Sequence, residues 1–226
     1  LACRYRLTDR DPATRLGLPE VRLGIHPGFG GTVRLPDRVG PLAALDLMLS
    51  GRSLDGRAAQ RMGLVDLALS PWQLADATRD LVQRDPGPGR PRWWQRLLAT
   101  WPGRQVLKPV MARQVAQRAR RAHYPAPFAL LDLWARHGGE SKPRRIKSER
   151  QSLVRLIEGP SAGNLIRVFL LQDRLKHEAR AADVEVPRRV HVIGAGTMGG
   201  DIAAWLALNG CRVTLFDERD AAVAST

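Results

Sequence analysis

Cysteine and long apolar runs are both scarce in this sequence, and each scarcity excludes a class of protein. The 226 residues contain two cysteines, Cys3 and Cys211, far apart and without a histidine at metal-binding spacing. Disulfide frameworks and zinc sites need more cysteines or closer ones. No run of 18 apolar residues occurs, so the sequence predicts no membrane-spanning helix. We expect no bound metal and a reducing compartment, the cytoplasm.

Acidic residues are also few: 22 Asp and Glu face 36 Lys and Arg. Residues 90–150 hold 15 basic and three acidic side chains, a composition that suggests a nucleic-acid partner. The aromatic residues of this segment fall beside apolar helical positions, however, and are predicted to be core. They are Trp93, Trp94, Trp101, Tyr124, Phe128 and Trp134. A solvated helical face is therefore favoured over nucleic acid, and an acidic partner surface or the phosphates of a ligand remain alternatives.

The clearest pattern lies between residues 188 and 217. A β-branched run, Val190 to Ile193, predicts a buried strand, and a glycine-rich turn follows it directly. Apolar residues at helical spacing from Asp201 predict a helix that ends at Asn209–Gly210. A second strand over 212–216 is expected, and it ends at Asp217.

This order of strand, glycine turn, helix, strand and acid is typical of dinucleotide binding. Gly194 permits the tight turn, Gly196 lets the backbone approach a pyrophosphate, and Gly199 allows the helix to pack closely on the strand. Asp217 follows Gly194 by 23 positions, near the separation expected for a carboxylate that binds ribose hydroxyls. The pattern therefore predicts NAD rather than NADP, although Arg219 nearby keeps NADP open. The alternative is a glycine-rich turn that binds nothing.

A second informative segment, residues 18–35, reads LPEVRLGIHPGFGGTVRL. It places one carboxylate, Glu20, among apolar neighbours, where spacing alone favours an exposed side chain over one kept for proton transfer. The segment and its continuation, residues 49–66, resemble the crotonase (enoyl-CoA hydratase/isomerase) superfamily. This resemblance implies that Glu20 is one of two catalytic glutamates, the one that chiefly gives a proton to the α-carbon. It also implies that a helix begins within the segment PGFGGT.

Helical patterns fill most of the sequence between these two segments. Residues 85–91, DPGPGRP, cannot form regular structure and are the best linker candidate. Helices are predicted over 110–122, 128–137, 146–157 and 162–179. A crotonase-like part, a helical bridge and a dinucleotide unit in this order resemble the multifunctional fatty acid oxidation proteins of α-subunit type. The resemblance implies an α/β fold with a large helical part, divided into a partial crotonase-like domain (1–85), a helical linker (86–187) and the start of a Rossmann domain (188–226).

The same resemblance implies an enoyl-CoA hydratase joined to an NAD-dependent 3-hydroxyacyl-CoA dehydrogenase. Its substrate is an acyl-CoA thioester, and a thiolase subunit is a candidate partner. Met198 joins the NAD-binding positions, and Asp173 corresponds to a substrate contact, although it also suits a solvated helix face. The first glutamate and the oxyanion donors are expected before Leu1, and the catalytic histidine with its glutamate after Thr226.

We therefore expect the chain to be a piece of a bifunctional β-oxidation enzyme, either a fragment or a broken gene, and to be inactive by itself. Two alternatives stay open. One is a related protein that binds CoA or NAD without turnover. The other is a basic helical module that docks to nucleic acid or to an acidic protein.

Overall fold

The computed structural model describes residues 1–87, 89, 91, 93–181 and 187–224. These residues form two compact units, Leu1–Asp173 and Arg174–Thr226. The division falls within one long helix, Pro160–Ala181. Among the described residues no helix is both long and apolar enough to cross a membrane. The three predicted domains, 1–85, 86–187 and 188–226, remain a prediction.

The first half of the first unit combines short strands with helices. Strand β1 (Leu7–Asp9) pairs in parallel with β4 (Leu67–Leu69), and β2 (Leu16–Gly17) pairs antiparallel with β3 (Ser53–Leu54). A 3-10 helix, Pro19–Leu23, precedes α1 (Gly31–Val39), α2 (Pro41–Ser50) and α3 (Gly56–Met62). A second 3-10 helix, Pro71–Gln73, leads into α4 (Leu74–Arg84).

The second half of the unit is helical. It contains α5 (Trp93–Leu98), α6 (Trp101–Ala116), α7 (Ala126–His137), α8 (Lys142–Ile157) and α9 (Pro160–Ala181). The predicted helix over 110–122 is wrong at both ends, because α6 already begins at Trp101 and runs through Pro109. Proline at that position removes one backbone hydrogen bond, yet the surrounding helix accommodates it. Of the predicted linker stretch 85–91, Pro88 and Arg90 lie outside the described residues.

One hydrophobic core joins the two halves of the first unit. Helices α1 and α2 contribute residues such as Leu35 and Leu45, and α7 contributes Leu130, Leu131 and Trp134. Leu35, Leu45 and Leu130 are inaccessible to solvent. Because burial of apolar surface is the main favourable term in folding, helix α7 contributes to the stability of the unit that contains Glu20.

The prediction that the aromatic residues of the basic segment form core is correct for some and wrong for others. Phe128 and Trp134 on α7 are buried. Trp93 and Trp101 are exposed, and Trp94 is at the margin of exposure. The two exposed tryptophans begin α5 and α6, where a helix presents only one side to its neighbours, and periodicity alone does not show which side that is.

A partly buried ion cluster ties α1 to the strands β1 and β4. The Asp66 carboxylate accepts the backbone N–H of Arg6 at 2.9 Å and the guanidinium of Arg6 at 3.2 Å. Its other oxygen accepts a hydrogen bond from Arg38. Burial opposes ionisation of Asp66, but the hydrogen bonds and charges of Arg38 and Arg6 outweigh it, so the pKa of Asp66 is lowered.

The Asp66 cluster predicts an acid-sensitive contribution to stability. A carboxyl with a lowered folded-state pKa stabilises the fold above its unfolded pKa of about 3.9, and this contribution is lost as pH falls through the folded-state value. We expect Asp66→Asn to destabilise the chain by about 1–3 kcal/mol at pH 7 and by less at pH 3. Urea unfolding at both pH values measures this. Asp80→Asn is the control, because Asp80 forms an exposed pair with Arg84, and it should change stability by at most about 1 kcal/mol. An equal loss of stability at both pH values for Asp66→Asn would contradict the prediction.

The second unit confirms the predicted order of strand, helix and strand. The prediction that the first strand is buried is wrong: no residue of Arg189–Ile193 is buried and Ile193 is 77% exposed, because a two-stranded sheet leaves much of its surface uncovered. Strands β5 (Arg189–Ile193) and β6 (Arg212–Phe216) pair in parallel from Arg189–Arg212 to Ile193–Phe216. Helix α10 (Thr197–Leu208) connects them, and α11 (Asp220–Ala224) follows. Helix α10 starts four residues before the predicted Asp201, because its first turn contains two glycines whose low helix propensity the pattern treated as turn.

Candidate functional site

Glu20 lies in the 3-10 helix Pro19–Leu23 and is half-buried. Its Oε2 atom is inaccessible to solvent and has no hydrogen-bond partner among the described residues. The turn closes with two backbone bonds, from the Gly24 N–H to the Val21 carbonyl at 3.0 Å and from the Ile25 N–H to the Glu20 carbonyl at 3.3 Å. Gly24 itself has a φ of 74°, a conformation that glycine adopts without strain. The backbone therefore determines where this carboxylate lies.

Residues more than a hundred positions downstream hold the Glu20 segment in place. The Tyr124 hydroxyl donates to the Val21 carbonyl. Gly24 packs so closely on α9 that an added Cβ would lie 2.9 Å from Leu165 and 3.2 Å from Ala162. The helical part of the chain thus contacts the residues on either side of Glu20, which the sequence pattern did not predict.

A cavity of about 890 Å³ lies between α2 and α6. Leu42 and Leu49 line it from α2, and Leu107 and Met111 line it from α6. Tyr124 also lines it, and the same side chain binds the Val21 carbonyl next to Glu20. Glu20 itself does not line the cavity. The lining is mixed, since Asp46, Gln114 and Arg118 also contribute to it. Tyr124 is the residue that links this cavity to the segment carrying the carboxylate.

His26 is a buried polar residue that the sequence reading missed. Its Nδ1 lies 2.9 Å from the Pro27 carbonyl oxygen, and its Nε2 lies 2.9 Å from the Ser152 hydroxyl. A carbonyl only accepts, so we assign the proton to Nδ1, and the Ser152 hydroxyl donates to Nε2. Burial lowers the pKa of His26, which agrees with a neutral imidazole.

Glu149, on α8, is the second missed residue and is fully buried. Its carboxylate accepts the N–H of Gly30 at 2.6 Å and the N–H of Thr32 at 2.9 Å, and also the Thr32 hydroxyl. It therefore caps the N-terminus of α1, where Gly30 has no side chain to do so. A sequence signal existed: Glu149 lies three positions after Ile146 and seven before Leu156, on the apolar face of α8.

The glycine turn of the second unit has a specific geometry at each glycine. Gly194 has a φ of 102°, and its N–H donates to the Phe216 carbonyl at 2.7 Å. A Cβ on Gly199 would lie 1.7 Å from the Gly194 carbonyl oxygen, so only glycine fits there. A Cβ on Gly196 would meet nothing within 4 Å. The start of α10 is thus open at Gly196 and closely packed at Gly199.

Asp217 follows β6 and lies beside this turn. One oxygen accepts the Ala195 N–H at 2.8 Å, and the other accepts the Arg219 N–H at 2.9 Å. These two backbone hydrogen bonds, from Arg219 and then Ala195, lower the pKa of Asp217, so the carboxylate is ionised at neutral pH. The Arg219 guanidinium also lies 3.6 Å from the oxygen that accepts its N–H, so the oxygen bound to Ala195 is the one with a further lone pair for another donor.

The structure brings some of the predicted site residues together. Gly194, Gly196, Met198, Gly199 and Asp217 surround the start of α10, where Met198 is largely exposed. Glu20 belongs to the first unit. Asp173 is exposed on α9, at the end of that unit.

Comparison with known proteins gives family matches at both ends of the chain and relatives that align along most of it. Residues 1–85 match the enoyl-CoA hydratase/isomerase family, and residues 189–226 match the NAD-binding domain of 3-hydroxyacyl-CoA dehydrogenase. The fatty acid oxidation complex subunit alpha of Shewanella halifaxensis (strain HAW-EB4) is 33% identical over 210 residues. The match covers 90% of this chain and 30% of that subunit.

Solved structures align with lower similarity. Carnitinyl-CoA hydratase from Mycobacterium avium aligns at a TM-score of 0.44 and 18% identity, over 74% of this chain and 51% of the other. Carnitinyl-CoA dehydratase from Mycobacterium avium 104 aligns at 0.40 and 18%, over 74% and 52%. Both TM-scores lie below 0.5, so the comparison rests on the sequence matches: residues 1–85 are similar to the enoyl-CoA hydratase/isomerase family, and residues 189–226 are similar to the NAD-binding domain of 3-hydroxyacyl-CoA dehydrogenase.

Proposed function

We propose that this chain is part of a bifunctional fatty acid β-oxidation enzyme, an enoyl-CoA hydratase joined to an NAD-dependent 3-hydroxyacyl-CoA dehydrogenase. The observation that carries the proposal is the order of the two family matches on one chain. A fatty acid oxidation subunit covers 90% of the same chain. The proposed domains are 1–85, 86–187 and 188–226.

In the hydratase half, Glu20 is the proposed catalytic residue. Water adds across the enoyl double bond, so that the β-carbon gains oxygen and the α-carbon gains a proton. Glu20 supplies that proton as a general acid. A carboxyl oxygen that is shielded from solvent and has no partner among the described residues is suited to this role, because no competing donor holds it. No described residue of this chain is assigned to the other glutamate or to the oxyanion donors.

The cavity between α2 and α6 is the proposed place for part of an acyl chain. Leu42, Leu49, Leu107 and Met111 give it apolar walls, and an apolar chain gains about 0.8 kcal/mol for each CH₂ removed from water. Tyr124 lines the same cavity, and its hydroxyl donates to the Val21 carbonyl in the Glu20 turn. Asp173 is retained as a proposed substrate contact.

The second unit is the proposed NAD site, and its geometry fits a dinucleotide. Gly196 leaves the start of α10 open to a pyrophosphate, which the N-terminus of a helix attracts. Gly194 and Gly199 form the tight turn, and Met198 borders it. Asp217 is ionised and directed at the turn, where it can accept the ribose hydroxyls. Bound NAD supplies a hydride acceptor.

Partners and compartment belong to the same proposal. The Shewanella relative is a subunit of a complex by name, so assembly with a second subunit, a thiolase by family resemblance, is proposed. A cytoplasmic location is proposed from the two free cysteines, Cys3 and Cys211.

The NAD site is tested by Asp217→Ala in a chimaera, in which this chain replaces the matching 210 residues of the Shewanella subunit. The variant should bind NAD about 10-fold more weakly or worse, since charge-assisted hydrogen bonds to the ribose are lost. The advantage of NAD over NADP should narrow, because a 2′-phosphate no longer meets a carboxylate. Titration of both cofactors, followed by protein fluorescence, measures this.

Asp220→Ala is the matched control, an exposed aspartate three residues further along in α11. It should leave both affinities unchanged. If Asp217→Ala keeps the wild-type preference for NAD over NADP, the dinucleotide assignment of Asp217 is wrong.

A further inference from the structure

One face of α8 binds the segment that follows Glu20. Arg145 binds the Asp37 carboxylate at 2.8 Å and the Val33 carbonyl at 3.0 Å. Glu149 accepts three hydrogen bonds from Gly30 and Thr32. Residues 145, 149 and 152 are spaced four and three apart, so they lie on one side of the helix.

The third member of this face is Ser152, which binds buried His26. His26 follows Ile25, whose N–H closes the turn on the Glu20 carbonyl. The contacts of α8 therefore begin one residue after the Glu20 turn and continue through the first turn of α1. Loop 26–32 cannot move without breaking buried hydrogen bonds.

The position of the Glu20 carboxylate depends on its backbone. Its buried Oε2 has no hydrogen-bond partner among the described residues, so no hydrogen bond of that oxygen holds the carboxylate in place when the turn moves. A displaced loop 26–32 would displace Glu20 with it.

We propose that Glu149 is a positioning residue for Glu20, since its buried carboxylate holds loop 26–32 and thereby fixes the turn that carries the acid. The inference rests on the proposed hydratase function. A carboxylate suits this task because it only accepts hydrogen bonds, and it meets two N–H groups and one hydroxyl. Glutamine would direct an NH₂ group at one of these donors and lose at least one bond.

The first test needs no turnover and uses the whole 226-residue chain. Carboxyl-labelled [¹³C]glutamate gives a Glu20 NMR signal that is assigned by its loss in Glu20→Gln. In Glu149→Gln the carboxyl chemical shift of Glu20 should move. Glu158→Gln, an exposed glutamate directly after the same helix, should leave it unchanged. A change of overall stability alone would not move the Glu20 signal of the folded chain.

Two milder variants guard against failure of Glu149→Gln to fold. Thr32→Val removes one hydroxyl donor to Glu149 and keeps the shape of the side chain, and it should move the Glu20 signal in the same direction. Thr32→Ser keeps the hydroxyl and should return the signal towards its wild-type position. A Glu20 signal that is unchanged in folded Glu149→Gln, or in folded Thr32→Val, overturns the inference.

The second test measures hydration of an enoyl-CoA by the Shewanella chimaera. Glu149→Gln should lower kcat by about 10²-fold, the effect of a displacement near 1 Å, with KM little changed. Wild-type kcat in a folded Glu149→Gln chimaera would contradict the positioning role and show that Glu149 only caps α1. If the wild-type chimaera does not hydrate enoyl-CoA, the proposed function fails, and the NMR result alone decides whether Glu149 positions Glu20.

Discussion

Leu130→Ala is expected to lower the unfolding free energy of the first unit by about 2–5 kcal/mol, the range for removing a buried leucine side chain. Leu130 is inaccessible to solvent on α7, and it shares a core with Leu35 and Leu45 of α1 and α2. Removal of its side chain leaves a cavity that helices held on several sides cannot fill.

Urea unfolding of the 226-residue chain, followed by near-ultraviolet circular dichroism, measures this effect through buried Trp134. The control is Leu170→Ala on α9, where the leucine is 59% exposed. That change should stay within about 0.5 kcal/mol. A small effect of Leu130→Ala, or a separate transition for α5–α8, would mean that the helical region is an independent bridge and not part of the unit that holds Glu20.

Glu20→Gln is expected to lower hydration by the Shewanella chimaera by at least about 10²-fold, within the range for a lost general acid. Glutamine has nearly the same shape but carries no proton that it can give to the α-carbon. Binding of the acyl-CoA should change little, because the proposed acyl cavity is lined by α2, α6 and Tyr124 rather than by Glu20.

Steady-state rates with a trans-2-enoyl-CoA measure hydration, and NAD reduction with a 3-hydroxyacyl-CoA measures the proposed dehydrogenase activity. The second rate should be unaffected, since Glu20 belongs to the first unit. Glu140→Gln, an exposed glutamate paired with His137, should leave both rates unchanged. Full hydratase activity in Glu20→Gln would show that Glu20 is not the general acid.

Local pattern was sufficient for the second unit. The run Val190–Ile193, the glycines and Asp217 predicted a strand, a turn, a helix and a strand, and the structure contains them in parallel register. The elements of this unit are neighbours in the sequence, and short-range hydrogen bonds with glycine backbone preferences decide them. The predicted start of α10 was too late, because the low helix propensity of Gly199 and Gly200 indicated a turn although the helix already begins at Thr197.

The family resemblance singled out Glu20, but the sequence did not show what holds loop 26–32, which follows it. The contacts of Glu149 with Gly30 and Thr32 join residues 117–119 positions apart. The spacing of residues within α8 shows that Glu149 lies on its apolar face, but it does not identify the residues that Glu149 binds. The exposure of Trp93 and Trp101 was missed for the same reason.

The sequence by itself determined the dinucleotide-type unit, the candidate residues Glu20 and Asp217, and the family resemblance, since these depend on the order of residues along the chain. Only the tertiary structure decided that Tyr124 and α9 contact the turn that carries Glu20, and that Glu149 and Ser152 bind loop 26–32. Buried polar groups must find partners, and which partner is near depends on how helices pack, a property of the whole fold rather than of any short segment.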